Sequence, residues 1–379
     1  MLSSPVVLFV LGGVLLVGGA ELLVRGASRL ALAAGISPLV VGLTVVAFGT
    51  SAPELAVTVG SAVTGQADVA LGNVVGSNIF NILFILGLAA LIRPLVVAQQ
   101  LVRLDVPLLI AVSVAVLGMG VDGRIGRLDG AVLTLGIAAY TLFLIRLSRR
   151  EGPAVLAEYD EALGTTPDAA PASRPLLDVL LLLAGFALLV LGSRWLVDAA
   201  VETATRLGVS ELVIGLTIVA AGTSLPEVAT SVLAAARGQR DIAVGNAVGS
   251  CLFNLLAVLG IGSLVAPDGI GVPDGALTFD LPIMIAVAIA ALPVMFTGYT
   301  ISRLEGAVFL GYYVAYASYL VLVATDHGGA AQLGVAMVGF VLPLTVLTLV
   351  IGVVRHRRRH ASGRPGMDRA AGGPGDAHR

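Results

Sequence analysis

Two carboxylates, Glu54 and Glu227, sit inside long apolar stretches and share one local context. Gly49, Thr50, Ser51 and Pro53 precede the first, and Gly222, Thr223, Ser224 and Pro226 precede the second. A carboxylate left unpaired in a bilayer costs several kcal/mol, so each demands a cation or a proton. Thr50 and Glu54, like Thr223 and Glu227, are four residues apart and share one helical face. Proline removes a backbone donor and clashes with the preceding turn, so carbonyls near Ala47 and Ala220 are expected to lose their helical partners and to face an ion. Farther along, Asn73, Ser77 and Asn81, and again Asn246, Ser250 and Asn254, recur at intervals of four and form a polar stripe on an apolar helix. Gathered together, these groups make an all-oxygen cage for a hard cation. Calcium takes about six to eight oxygens, two carboxylates balance its charge, and sodium can use the same oxygens. Neither His nor a Cys pair accompanies them, which argues against a dedicated zinc or copper site.

Other polar and small residues read as structural. Thr44, Ser61, Gly72 and Gly76 suit packing or back-bonding within helices. Asn73 and Asn246 fit either a ligand or a bridge between helices, and Asp68 and Asp241, just before the next apolar run, read as N-caps. Cys251 occupies the place of Asn78 and reads as an inert buried thiol.

The elements that must position these groups are membrane spans. Of 379 residues, 57% are apolar and 12% charged, against about 25% charge in a soluble domain, which excludes a soluble globule. A spanning helix needs about 20 apolar residues. Runs of that kind lie near 5-24, 38-62, 69-92, 104-121, 127-147, 176-200, 209-236, 242-266, 279-298, 303-324 and 330-354. The first run lacks the basic flank of a signal peptide. All 22 basic residues are arginine, and 18 of them fall in one alternate set of loops with the tail, which places the N-terminus outside and the C-terminus in the cytoplasm. The polar stretch 149-175 is a solvated cytoplasmic loop. The near balance of charge offers no basic surface for nucleic acid, and a single cysteine excludes a disulfide framework. Arginine without lysine points to a GC-rich prokaryotic genome, and the expected location is a prokaryotic plasma (inner) membrane.

The chain also repeats itself. Shifted by 173 residues, 42-87 matches 215-260 at 27 of 46 positions without a gap. Gly12 and Gly35 correspond to Gly185 and Gly208, LDVPLLIAV at 104-112 to FDLPIMIAV at 279-287, and RLDGAVL at 127-133 to RLEGAVF at 303-309. Each copy holds five spans, an odd number, so the second must enter the membrane from the opposite side. The expected organisation is an all-α membrane protein of two inverted five-helix repeats, 1-148 and 176-326, joined by the loop 149-175. An eleventh helix at 327-354 and a basic tail at 355-379 follow.

With its paired GTSxPE and GNxxGSNxxN-type motifs, the chain resembles the cation/calcium exchanger superfamily over nearly all of residues 1-326. The resemblance implies the ten-helix exchanger core, in which two long helices slide to alternate access. Carried onto this chain, it implies a calcium site at Thr50, Glu54, Thr223 and Glu227 with the carbonyls of Ala47 and Ala220. Sodium sites would add Ser51, Ser77, Asn81, Ser224, Ser250 and Asn254. Both Asn81 and Asn254 are amides, whereas the potassium-dependent branch carries an acid at one of these places. The internal loop is also too short for the calcium-sensing domains of animal exchangers.

The expected activity is antiport of Na⁺ against Ca²⁺, electrogenic if three Na⁺ replace one Ca²⁺ as the family implies. The transported ions and membrane lipid are the partners, with no cofactor and no protein partner. A proton/calcium exchanger using the same glutamates is the alternative. A passive cation channel or a sensor is a second rival, disfavoured by the inverted duplication. An enzyme finds no support, because no nucleophile and base pair or phosphate loop appears.

Overall fold

The computed structural model describes residues 5–150, 175–208, 220–325 and 329–336, with the single positions 346 and 350. Most of the internal loop, the start of the 209-236 span, most of the eleventh helix and the tail lie outside the described residues. The described residues are almost entirely helical. In chain order the helices are α1 (Pro5–Ala34), α2 (Pro38–Thr50) and α3 (Ala52–Val63), the last two bent by 47° at Ser51. Next, α4 runs through Ala67–Phe80, a π turn at Asn81–Ile85 and Leu86–Ile92. Then α5 joins a π turn at Leu101–Asp105 to Val106–Met119, and α6 is Arg127–Arg150.

The second half follows the same order. α7 is Pro175–Arg206, α8 the short Ala220–Gly222, and α9 Leu225–Ala236. α10 runs through Arg240–Phe253, a π turn at Asn254–Val258 and Leu259–Val265. α11 joins a π turn at Ala276–Asp280 to Leu281–Phe296, α12 is Arg303–Ala324 and α13 is Gly329–Ala336. Among the described residues, eight helices are long and apolar enough to cross a membrane, or nine if the bent α2–α3 pair counts as one span.

Burial sorts these helices into a centre and a rim. The most apolar windows of α4 and α10 are 72% and 83% buried, whereas those of the other long helices stay at or below 33%. The two repeat-matched helices that carry the polar stripes are therefore the core, and Val6, Phe9, Val10, Leu128 and Leu135 leave apolar rim surface for lipid. Matched glycines with positive φ, Gly65 at 78° and Gly238 at 81°, turn the chain back after α3 and α9, a conformation that a side chain would strain. Gln66 and Gln239 hold the N-cap positions of the following helices, so Asp68 and Asp241 stand two residues farther on, at the second helical position, rather than at the caps.

Close approaches lock the halves together. A Cβ on Gly19 would lie 2.7 Å from Leu189 N, one on Gly185 2.6 Å from Leu23 N, and one on Gly192 2.7 Å from Gly12 O. α1 and α7 thus run antiparallel in backbone contact along a seam of glycines. A Cβ on Gly87 would meet Gly306 O at 2.9 Å, and one on Gly130 would meet Gly260 O at 2.7 Å, so α12 packs on α4 and α6 on α10. Two-residue antiparallel ribbons stitch the loops as well: Leu95–Val96 with Thr300–Ile301, and Arg124–Ile125 with Ile270–Gly271.

Candidate ion-binding site

The site forms where the breaks in the two motif helices meet the polar stripes of α4 and α10. At each break proline starts a new helix, and Ser51 and Ser224 occupy the N-cap positions of α3 and α9. Their hydroxyls are spent across the repeat. Ser224 Oγ donates to Glu54 Oε1 at 2.8 Å, and Ser51 Oγ donates to Glu227 Oε1 at 3.1 Å. Both carboxylates are fully buried, and Oε2 of each has no hydrogen-bond partner.

The stripes supply further unpartnered oxygens. Ser77, Asn81, Ser250 and Asn254 are buried, and Oδ1 of Asn81, Oδ1 of Asn254 and Oγ of Ser250 have no partner. Buried polar atoms are normally paired, so a cluster of unpartnered oxygens around two carboxylates is a donor set that could hold a cation. Ser77 Oγ lies 3.3 Å from Ser224 Oγ, which ties the first stripe to the second motif. A π turn begins at Asn81 and again at Asn254. The extra residue per turn at both positions interrupts the regular ladder where an ion-facing amide is expected.

Asn73 and Asn246 act as bridges. Asn73 Nδ2 donates to Glu54 O at 3.1 Å and Thr58 Oγ1 at 2.9 Å, and Asn246 Nδ2 donates to Glu227 O at 3.4 Å and Ser231 Oγ at 2.9 Å. Each asparagine thereby fixes the backbone of a glutamate to the following helix. Asn246 Oδ1 also accepts from Thr50 Oγ1 at 3.1 Å, a further contact between the halves. Thr223 faces the Glu54 carboxylate and Thr50 that of Glu227.

One expectation fails. Ala47 O keeps a helical partner, since Ser51 N donates to it at 3.0 Å. The carbonyls four residues before Pro53 and Pro226 are those of Gly49 and Gly222, so the prolines spare Ala47 and Ala220. Thr50 Oγ1 lies 3.1 Å from Val46 O and 3.4 Å from Ala47 O, so Ala47 O has a hydroxyl beside it as well as the Ser51 N–H. Ala220 opens α8.

Thr58 and Ser231 had not stood out in the sequence, although their matched hydroxyls in the two copies were a signal. Of the residues read as structural, Thr44 Oγ1 donates back to Val40 O at 2.6 Å and Cys251 is buried with Sγ 3.7 Å from Asn78 O, whereas a Cβ on Gly72 or Gly76 would meet nothing within 4 Å. Among the described residues no three His, Cys, Asp or Glu side chains cluster, so the site pairs two acids with neutral oxygens.

The model of the family described as sodium/calcium exchanger protein matches residues 4–146 and 177–322, the two halves on either side of the internal loop. The chain is 38% identical to the inner membrane protein YrbG of Escherichia coli over 254 residues, covering 66% of this chain and 76% of the relative. It is 31% identical to the sodium/calcium exchanger MaX1 of Methanosarcina acetivorans over 303 residues, covering 72% and 86%. The fold is similar to that of the sodium-calcium exchanger NCX_Mj soaked with 10 mM Na⁺ and zero Ca²⁺. The TM-score is 0.70 at 28% identity, with 84% of this chain and 99% of the other covered. Spanning helices, a duplicated motif and a match over both halves together make this an integral membrane protein of cation/calcium exchange, and the chain belongs to the sodium/calcium exchanger family.

Proposed function

We propose that the chain is a secondary antiporter that exchanges Na⁺ for Ca²⁺ by alternating access at one site between two inverted repeats. The observation that carries this reading is the pair of fully buried carboxylates, each bonded by the serine of the opposite motif and each with one oxygen left over. Glu54, Glu227, Thr50 and Thr223 with the carbonyls of Ala47 and Ala220 are assigned to calcium. Ser51, Ser77, Asn81, Ser224, Ser250 and Asn254 complete the sodium sites. Two carboxylates balance one Ca²⁺, and sodium ions taking the same oxygens exclude it, which couples the two ions at a shared site.

The loop ribbons support ten spans. Arg124–Ile125 and Ile270–Gly271 pair, so an even number of crossings separates them. The described helices between them that pass the length test are α6, α7 and α10, and a fourth crossing at 209-236 restores the parity. Each repeat then holds five spans in 1-148 and 176-326, of opposite orientation, with 149-175 as linker, an added helix at 327-354 and a tail at 355-379. The arginine distribution supports an outside N-terminus and a cytoplasmic C-terminus in a prokaryotic inner membrane.

Everted vesicles loaded with sodium test the reading. Radioactive calcium should enter when the sodium gradient is imposed, and Glu54→Gln or Glu227→Gln should abolish entry. Collapsing ΔpH while the sodium gradient is held separates the rival proton/calcium exchange: uptake that vanishes with ΔpH and ignores sodium replaces the proposal. Calcium dissipation without either gradient would identify a channel.

A further inference from the structure

The α1–α7 pair meets the two motif helices unequally. On the second motif, Ser193 Oγ of α7 donates to Gly222 O at 2.6 Å. That carbonyl is the one whose partner four residues on would be Pro226, which has no N–H, so the serine supplies the donor that proline removes. Val197, one turn farther along α7, covers the same glycine: a Cβ there would lie 2.3 Å from Val197 Cγ2. On α1, Glu21 forms an ion pair with Arg237, just past the end of α9.

The first motif is met differently. The repeat offset of 173 sets Gly49 against Gly222 and Pro53 against Pro226, and it sets Ala20 of α1 against Ser193 of α7. Ala20 has only a methyl group and can donate nothing. Gly49 is instead covered by the Phe186 ring of α7, with a Cβ position 1.5 Å from Cε1. Among the described residues no side chain donates a hydrogen bond to Gly49 O. A cavity of about 550 Å³ lies beside it, between Val45, Phe48 and Ala52 on one side and Leu182, Val190 and Arg194 of α7 on the other. The helices beyond the breaks differ in the same sense: Val57 of α3 is 36% exposed, while its match Thr230 of α9 is fully buried.

We propose that Ser193 is a positioning residue whose hydroxyl latches the α1–α7 pair onto the second motif in one of the two access states. The first motif has no such donor for the opposite state. The proposal rests on the alternating-access reading above and deepens it. The pair is one body along its glycine seam, and what it leaves at one break it takes up at the other. In the described state it rests on α9 and leaves the α3 side open. In the opposite state Ala20 would approach Gly49 by the symmetry of the repeat, and the proline-freed carbonyl there would find a methyl. The latch therefore biases the two-state equilibrium toward the state described. A single buried hydrogen bond shifts such an equilibrium by roughly two- to tenfold.

The full-length protein carrying Val57→Cys, reconstituted in vesicles, reads the equilibrium directly through its labelling rate with a membrane-impermeant maleimide, since native Cys251 is buried. Ser193→Ala should slow labelling, by at most the two- to tenfold shift of the equilibrium, and Ser193→Thr, which keeps the donor, should restore it. Ala20→Ser, which adds the missing donor to the opposite state, should slow labelling in the same direction with Ser193 intact. It carries the test alone if Ser193→Ala does not fold. Labelling that changes when Ca²⁺ or Na⁺ is added but is equal in the parent and both variants overturns the latch and leaves the exchange mechanism standing. Labelling that no ion changes in the parent overturns the alternating-access reading itself.

Discussion

The Ser224 hydroxyl donates to Glu54 Oε1 at 2.8 Å, so the carboxylate of the first motif is held by the serine of the second. The reverse contact, Ser51 to Glu227, spans 3.1 Å. One oxygen of each carboxylate is thereby anchored while the other stays free, which orients both acids toward a common space. Each half holds the carboxylate of the other, so under the proposed exchange the two halves could not bind ions independently.

Removing these anchors should weaken calcium binding more than it weakens folding. Orienting partners of metal ligands are typically worth about 10- to 100-fold in affinity. Ser224→Ala should raise the half-saturating calcium concentration within that range, and by more than Ser51→Ala, since Ser224 makes the shorter bond and also contacts Ser77. Calcium titration of initial uptake rates in vesicles checks the order; equal values for the two variants would contradict it.

Neutralising either acid should be more severe. Glu54→Gln and Glu227→Gln each leave one negative charge for a divalent ion, and a loss of at least about 100-fold in apparent calcium affinity is expected from the ligand charge count. Isothermal titration of the purified protein would show it without depending on the transport cycle.

The glycine seam predicts a position-specific effect. Gly19→Ala places a methyl 2.7 Å from Leu189 N and should force α1 and α7 apart, while Gly18→Ala meets nothing within 4 Å. Thermal unfolding in detergent should drop clearly for the first and stay near the parent for the second, and sodium-driven uptake should follow the same order.

A second pair of acids, one buried and one half-buried, supports the rim helices. Tyr140 donates to the buried Asp105 at 2.9 Å and Gln100 adds a bond at 3.2 Å, whereas Tyr316 reaches the partly exposed Asp280 at 3.4 Å. Tyr140→Phe leaves a buried oxygen without its partner, a loss of about 1–3 kcal/mol. Tyr316→Phe, at a longer bond to a less buried acid, should lose less. The melting temperatures of the two variants test the ranking.

Much of this was legible in the amino-acid order. The membrane class, most spans, the duplication, Glu54 and Glu227 and the four-residue stripes are local or periodic signals. A bilayer also enforces them strictly, because it tolerates neither open backbone nor a stray charge. The N-caps differ: Asp68 and Asp241, placed just before the next apolar run, read as caps, while Gln66 and Gln239 hold those positions. The carbonyl was misread as well, since Ala47 keeps its bond from Ser51 and the proline acts on Gly49.

What the order of residues determined by itself is therefore the inventory: two acids, their hydroxyls and amides, and a family with the same motifs. Tertiary structure decided the pairing. Ser224 meets Glu54 across 170 residues, Thr50 meets Asn246 across 196, and Ser193 meets Gly222 where Ala20 has nothing to offer Gly49. Spacing along a helix dictates which residues share a face, but which face meets which depends on how separate helices cross and on where glycine lets backbones touch.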